Sequence, residues 1–152
     1  MSSDDDHGFT LIEVVCVLAI VAILAALLLP RLPVGTSRPQ LEAYAIETAS
    51  LLKADRNAAI RRNASIVTDV NAASRRVRSG ATGRVLTVPS DVAFRAILPE
   101  RCDQRPTFST IRFFSSGMSC GGVIALTRLG VGYEVRVNWL TGGVEVVARN
   151  AL

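Results

Sequence analysis

At 152 residues the chain has room for one modest domain of roughly 100 residues plus an attached element, and not for a second full domain. Its 17 basic and 13 acidic side chains leave a formal charge of +4, and all but one of the basic residues are Arg; that balance suits nucleic acid, anionic lipid, an acidic protein or plain solvation of a basic face. The single histidine is His7 and the three cysteines form no CxxC pair, so a zinc site is excluded and neither metal nor cofactor is expected.

The first eight residues, MSSDDDHG, are polar, and 9–29 follows at once as FTLIEVVCVLAIVAILAALLL, 21 residues with Glu13 as the single charge. As a helix rising ~1.5 Å per residue this run is about 31 Å long, against about 30 Å for a hydrocarbon core. A helix buried in a water-soluble domain keeps a polar face, and this one has none, so a membrane-spanning helix is predicted over 9–29. Cys16 within it is a small hydrophobe. A secretory signal carries its cleavage site after the apolar core. Here the polar segment comes first, so a cut at the junction leaves the apolar run attached as an anchor.

The junction Gly8-Phe9-Thr10-Leu11-Ile12-Glu13 resembles the type IV prepilin motif. In that family a membrane aspartic peptidase cuts after the glycine and methylates the new N-terminus. The resemblance implies that 1–8 is a leader, that the cut falls between Gly8 and Phe9, that Phe9 is N-methylated, and that a prepilin peptidase is a partner. Glu13 is costly inside a membrane, up to roughly 2.5–3.5 kcal/mol at the centre of a span, unless it stays near the hydrated interface or finds a cation. The resemblance supplies one, the N-terminal amine of a neighbouring subunit, which makes Glu13 the residue that fixes subunit register in assembly. The leader is acidic, whereas Arg31 and Arg38 follow the apolar run, and a naive positive-inside reading would invert the chain. Asp counts little in that rule and the peptidase motif demands cytoplasmic access. The expectation is therefore a single pass through a bacterial inner membrane, N-terminus cytoplasmic and C-terminal domain periplasmic.

Pro30, Pro33 and the stretch 35–39 break the helix, giving a Pro-rich segment over 30–39. It is either a plain helix end or, as in pilins, a place where the spine bends. Over 40–64 the sequence reads as an amphipathic helix with an apolar stripe of Leu41, Ala45, Ala49, Leu52, Ala59 and Ile60, weakened at Asp55 and Arg56 and closed by Arg61 and Arg62. From 65 to 152 the period changes to two, the mark of a β domain. A hairpin is predicted from 65–70 and 75–78. Strands follow over 84–88 and 92–98, a pair 108–114 with 123–127 across a Ser/Gly turn, and a closing hairpin of 132–138 with 144–148. Tyr133, Val135 and Val137 alternate with Glu134 and Arg136, as in a strand with one face in water, and Trp139 reads as a core anchor.

A spine helix, about seven short strands and a Trp-x-Thr-Gly-Gly hairpin make the chain similar to the H-type minor pseudopilins of type II secretion systems. That resemblance implies an α+β fold, a long N-terminal transmembrane and spine helix packed on a C-terminal antiparallel β-sandwich. It also implies a structural subunit at or near the tip of a periplasmic pseudopilus, with other pseudopilins as partners. A minor pilin of a type IV pilus or competence system that binds DNA through arginines is the alternative, although the arginines are scattered and aromatics are 5% of the chain.

No enzyme is expected. Beyond the leader there is no histidine, no suggestive carboxylate pair and no phosphate-binding glycine loop, and Gly117-Met118-Ser119-Cys120-Gly121-Gly122 reads as a turn rather than a nucleophile motif, so no catalytic residue is assigned. Cys102 and Cys120 fall in the region expected outside the cytoplasm, where a disulfide is permitted. A seven-residue strand over 108–114 would hold them about 23 Å apart, against about 7 Å for bridged Cα atoms. A bridge between them therefore requires 101–107 to run back alongside that strand, or the strand to be shorter.

Overall fold

The computed structural model describes residues 10–28 and 35–150, which fall into two units, 1–34 and 35–152. Gly8, Phe9, Pro30 and Pro33, which carry the expected leader cut, methylation and helix break, lie outside the described residues, as does Arg31 of the charge asymmetry about the apolar run.

The first unit contains α1, Leu11–Leu28, whose first turn is closed by the amide of Glu13 donating to Thr10 O at 3.0 Å. Its described side chains are exposed on every face, and Glu13 is the only charged one. At 18 residues this helix is ~27 Å long, a little under a hydrocarbon thickness. No described helix is long and apolar enough to cross a membrane.

The second unit opens with α2, Arg38–Arg62. Ser37 caps it in a reciprocal box: its Oγ accepts from the Gln40 amide at 3.4 Å, and its own amide donates to Gln40 Oε1 at 2.9 Å. Pro39 fits the first turn, where its missing N–H costs nothing. Asn63 ends the helix in the left-handed conformation, at φ 46°. Leu41, Ala45, Thr48, Leu52, Asp55 and Ala59 form the buried stripe, so the helix packs through small residues that let strands come close. Ile60, expected in that stripe, is exposed instead, while Asp55 lies at its centre.

Ten short strands follow: β1 Ile66–Asn71, β2 Arg76–Arg78, β3 Val85–Thr87, β4 Ala93–Ile97, β5 Arg101–Cys102, β6 Arg105–Pro106, β7 Thr110–Phe113, β8 Gly122–Arg128, β9 Val131–Val137 and β10 Val144–Asn150. They build one antiparallel sheet in the order β3-β2-β1-β7, a second in the order β10-β9-β8-β4, and a two-stranded ribbon of β5 and β6. The hairpins β1–β2 and β9–β10 pair as the alternation indicates, with Asn71 opposite Arg76 and Val137 opposite Val144. α2 touches strands of both sheets, and its stripe shares one core with Ile66, Val70, Val77, Ile111 and Phe113 from the first sheet and Ile124, Leu126 and Val135 from the second.

One expected pairing is not found. β7 runs against β1, with Ile66 opposite Phe113, whereas β8 lies between β4 and β9 in the other sheet. The Ser/Gly segment first folds back on β7, the Phe114 amide donating to Met118 O at 2.9 Å and Phe113 pairing with Ser119, and only then crosses to the second sheet. Positive φ at Gly117 makes the tight turn, and positive φ at Gly121 and Gly122 lets the chain leave β7 for β8. Two further expectations are corrected. Trp139 is 64% exposed, because β9 ends at Val137 and the ring lies beyond the core. Glu134, read as solvent-facing, is buried beneath two arginines.

Candidate functional site

Glu13 stands in the first turn of α1, one carboxylate among Val14, Val17 and Leu18. Placed there it has no cation of its own helix to meet, since α1 carries no other charge. The first turn of a helix, where amides point outward, is a position that suits an acidic side chain.

In the second unit the chain is clamped where it enters. The Asp91 carboxylate accepts from the Thr36 amide at 2.6 Å and the Thr36 hydroxyl at 2.9 Å, and Arg128 Nε meets it at 2.8 Å. Arg128 Nη1 also donates to Thr36 O at 2.5 Å. The Thr36 amide, followed by its hydroxyl, the Asp91 amide and the Arg128 charge, holds the Asp91 carboxyl below its ordinary value against a smaller opposing effect of burial. Gly35 is required beside this clamp: a Cβ there would come within 2.2 Å of Arg128 Nη2, and its φ is +103°.

Further along α2, Asp55 is fully buried and accepts from four donors. These are Thr68 Oγ1 at 2.6 Å, Ser79 Oγ at 2.5 Å and the amides of Gly80 at 3.0 Å and Ala81 at 3.2 Å. A buried carboxylate is tolerable only when its lone pairs are filled in this way, and here they tie the helix to β1 and to the β2–β3 loop. The next residue, Arg56, reaches the opposite side. Its Nε donates to Gly117 O at 3.0 Å and its Nη2 to Thr141 O at 3.0 Å, joining the crossover and the closing hairpin to the helix. Neither residue stood out in the sequence except as a flaw in the apolar stripe. The available signal was their position, with Asp55 three residues after Leu52 and four before Ala59.

On the second sheet Glu134 accepts from Arg136 at 2.8 Å and from Arg149 at 2.6 Å, and hydrogen bonding from Arg136 is the largest influence keeping its carboxyl below the usual value. The first sheet turns Arg76, Arg78 and the half-buried Arg112 outward, with Asp69 directly opposite Arg78. These arginines are spread over two strands and interrupted by an acid.

Cys102 and Cys120 come together as a disulfide, their Cα atoms 5.6 Å apart. Two features close the distance that a long strand would have opened. β7 covers only Thr110–Phe113, and after the turn the chain returns along it, with the Cys120 amide donating to Arg112 O at 3.1 Å. Among the described residues no group of His, Cys, Asp and Glu is placed to hold a metal ion.

Comparison with known proteins adds two kinds of likeness. Residues 4–29 match the family described as the prokaryotic N-terminal methylation motif. The fold is similar to the minor pseudopilin EpsH of the type 2 secretion system of Vibrio cholerae, with a TM-score of 0.55 and 14% identity over 71% of this chain and 96% of that one. It is equally similar to the type IV minor pilin FimU of Pseudomonas aeruginosa, with a TM-score of 0.56 and 14% identity over 76% of this chain and 97% of that one. No curated protein matches the sequence itself. The chain thus has a type IV pilin-like fold and carries the methylation motif at its N-terminus.

Proposed function

We propose that the chain is a minor pseudopilin, a structural subunit at or near the tip of the periplasmic pseudopilus of a type II secretion system. The observation that carries this reading is the joining of an N-terminal methylation motif over 4–29 to an EpsH-like globular unit in one chain. On this reading a prepilin peptidase cuts between Gly8 and Phe9 and methylates Phe9. The apolar run 9–29, of which α1 is the described part, then anchors the protein in the inner membrane. Glu13 meets the cationic N-terminus of a neighbouring pseudopilin, a pairing that a low-dielectric surrounding strengthens. The globular unit lies in the periplasm, where its disulfide persists.

A second reading has its own support. The likeness to FimU is as close as that to EpsH, and Arg supplies all but one of the basic residues, which suits a minor pilin of a type IV pilus or competence system in contact with DNA phosphates. Deletion of the gene separates the two. Loss of protein export with pili and DNA uptake intact supports the secretion reading; loss of piliation or uptake with export intact replaces it with the second.

A further inference from the structure

The second sheet ends on β10, and among the described strands this is the one long edge left open. β3 has three residues and β4 five, and along β7 the returning chain donates the Cys120 amide to Arg112 O. β10 has seven, and its register against β9 runs unbroken from Val144 to Asn150 with no proline, glycine or bulge. Edge strands are usually blunted by such devices, because a free row of amides and carbonyls invites another strand.

The turns at the two ends of β9 fix which main-chain groups of β10 are free. Asn138 N donates to Gly143 O at 2.9 Å, so the ladder starts on a bonded pair, and bonded positions then alternate along it. Glu145, Val147 and Arg149 therefore bond to Arg136, Glu134 and Gly132 of β9, while the amides and carbonyls of Val146 and Ala148 point away from the sheet. Counting from the two-residue turn between Arg128 and Val131 gives the same phase, since it leaves the even-numbered residues of β9 for β10. The side chains alternate too. Val144 and Val146 pack against the core, and Glu145, Val147 and Arg149 stand on the opposite face.

These two alternations make β10 complementary to itself. When two copies pair antiparallel about Val147, Val146 of each faces Ala148 of the other, and each such pair is set to exchange two hydrogen bonds. Val147 then meets Val147, and each Glu145 meets the other copy's Arg149, at the positions where opposed side chains come closest. Glu145 is exposed and has no hydrogen bond or ion pair among the described residues. Arg149 spends Nη1 on Glu134, but its side chain is 69% exposed, which leaves the rest of the guanidinium open. Arg136, beside Glu145 on β9, is turned to Glu134. Other arrangements lose the match. A parallel pair in register, or an antiparallel one centred on Glu145 or Arg149, sets like charges side by side, and centring on Val146 or Ala148 leaves both charges unmatched. The charges that deter an arbitrary strand select this one.

We propose that β10 is a self-pairing edge whose occupant is a second copy of this chain, the two four-stranded sheets joining into one about a two-fold axis. The inference concerns the globular unit and does not depend on which filament, if any, the chain enters.

The test uses the full-length protein in detergent with Cys16→Ala, so that Cys102 and Cys120, joined to each other, leave no free thiol. Val147→Cys in this background should form a disulfide-linked dimer under mild oxidant, since opposed residues at a non-bonded pair lie within bridging reach. Val85→Cys, exposed on the short edge β3, should not. Register is read by mixing Glu145→Cys with Arg149→Cys: the mixture should cross-link, and Glu145→Cys alone should not. Glu145→Arg, which alters no ion pair found in the structure, should lower the Val147→Cys dimer yield about tenfold. Ala148→Pro should abolish the dimer, because it removes an N–H that β9 does not use. If Ala148→Pro melts early, Glu145→Arg decides alone. No dimer from Val147→Cys, an equal dimer from Val85→Cys, Glu145→Cys cross-linking to itself as well as to Arg149→Cys, or a yield untouched by Glu145→Arg would each overturn the proposal.

Discussion

Thr68 and Asp55 meet in the interior, the Thr68 hydroxyl donating at 2.6 Å to a carboxylate with no exposed surface. Asp55 thereby converts a flaw in an apolar stripe into the bolt between the helix and the first sheet. Asp55→Ala should leave two hydroxyls and two amides without their acceptor, at a cost of about 1–3 kcal/mol for each donor that water does not reach. Asp55→Asn, which keeps one acceptor oxygen, should cost less. Urea unfolding of the full-length protein in detergent measures both, and equal stability of wild type and Asp55→Ala would refute the assignment.

Stability should also depend on pH, with a sign set by two carboxylates. Asp91 and Glu134 both have folded values below their ordinary ones of 3.8 and 4.5, the first chiefly through the Thr36 amide and the second chiefly through Arg136. A depressed folded value means the stabilisation is complete above the unfolded value and is lost as pH falls through the folded one. The melting temperature should therefore be flat above about pH 5 and decline below it. Asp91→Asn should lower the plateau and shallow the decline; an unchanged acid limb would remove Asp91 from the account.

The disulfide closes a loop of 18 residues, worth about 3 kcal/mol through restriction of the unfolded chain. Cys102→Ser should lower stability by that order, and the reduced wild type should match it. Thiol labelling of denatured protein isolated without reductant should find neither Cys102 nor Cys120 free.

Gly142→Ala should be far more damaging than Gly83→Ala. Both glycines have positive φ, so each substitution carries about 1 kcal/mol or more of backbone strain. Around Gly83 nothing lies within 4 Å, whereas the Gly142 Cβ would collide with Gly117 O at 1.9 Å, so only there must the backbone move. Thermal melts of the pair decide it.

At the N-terminus, mass spectrometry should find a chain beginning at N-methyl-Phe9, and Gly8→Ala should leave much of it uncut. On the proposed function, Glu13→Ala should insert in the membrane at least as well as the wild type, since a costly carboxylate is gone, yet be recovered poorly with other pseudopilins. Undiminished recovery would show that Glu13 does not set register.

Much of the architecture was legible because it rests on local signals. The two periodicities located α2 and the first and last hairpins, whereas Ser37 and Pro39, read as part of the break over 30–39, in fact open the helix two residues earlier than expected. What the sequence hid were relationships at long range. β7 pairs with β1, and the segment after Phe114 folds back on β7 before it crosses to the second sheet, an order that its glycines permit but do not dictate. Trp139 carries the composition of a core residue, and its exposure follows only from where β9 stops. The Asp55 network and the Thr36 clamp join residues separated by 13 to 92 positions, which no window along the chain contains.

The Thr36 clamp bears on how the globular unit meets mechanical load. A pull on the chain ahead of Gly35 reaches Thr36 first, and from there Asp91, just before β4, and Arg128, the last residue of β8, carry it to those strands. Those strands are paired along five successive positions, so tension is shared across a sheet instead of peeling the first turn of α2 from its cap. Removing either side chain would move the point of first rupture to Ser37, and the force needed to unravel the unit from its N-terminal side would fall without any change in the core.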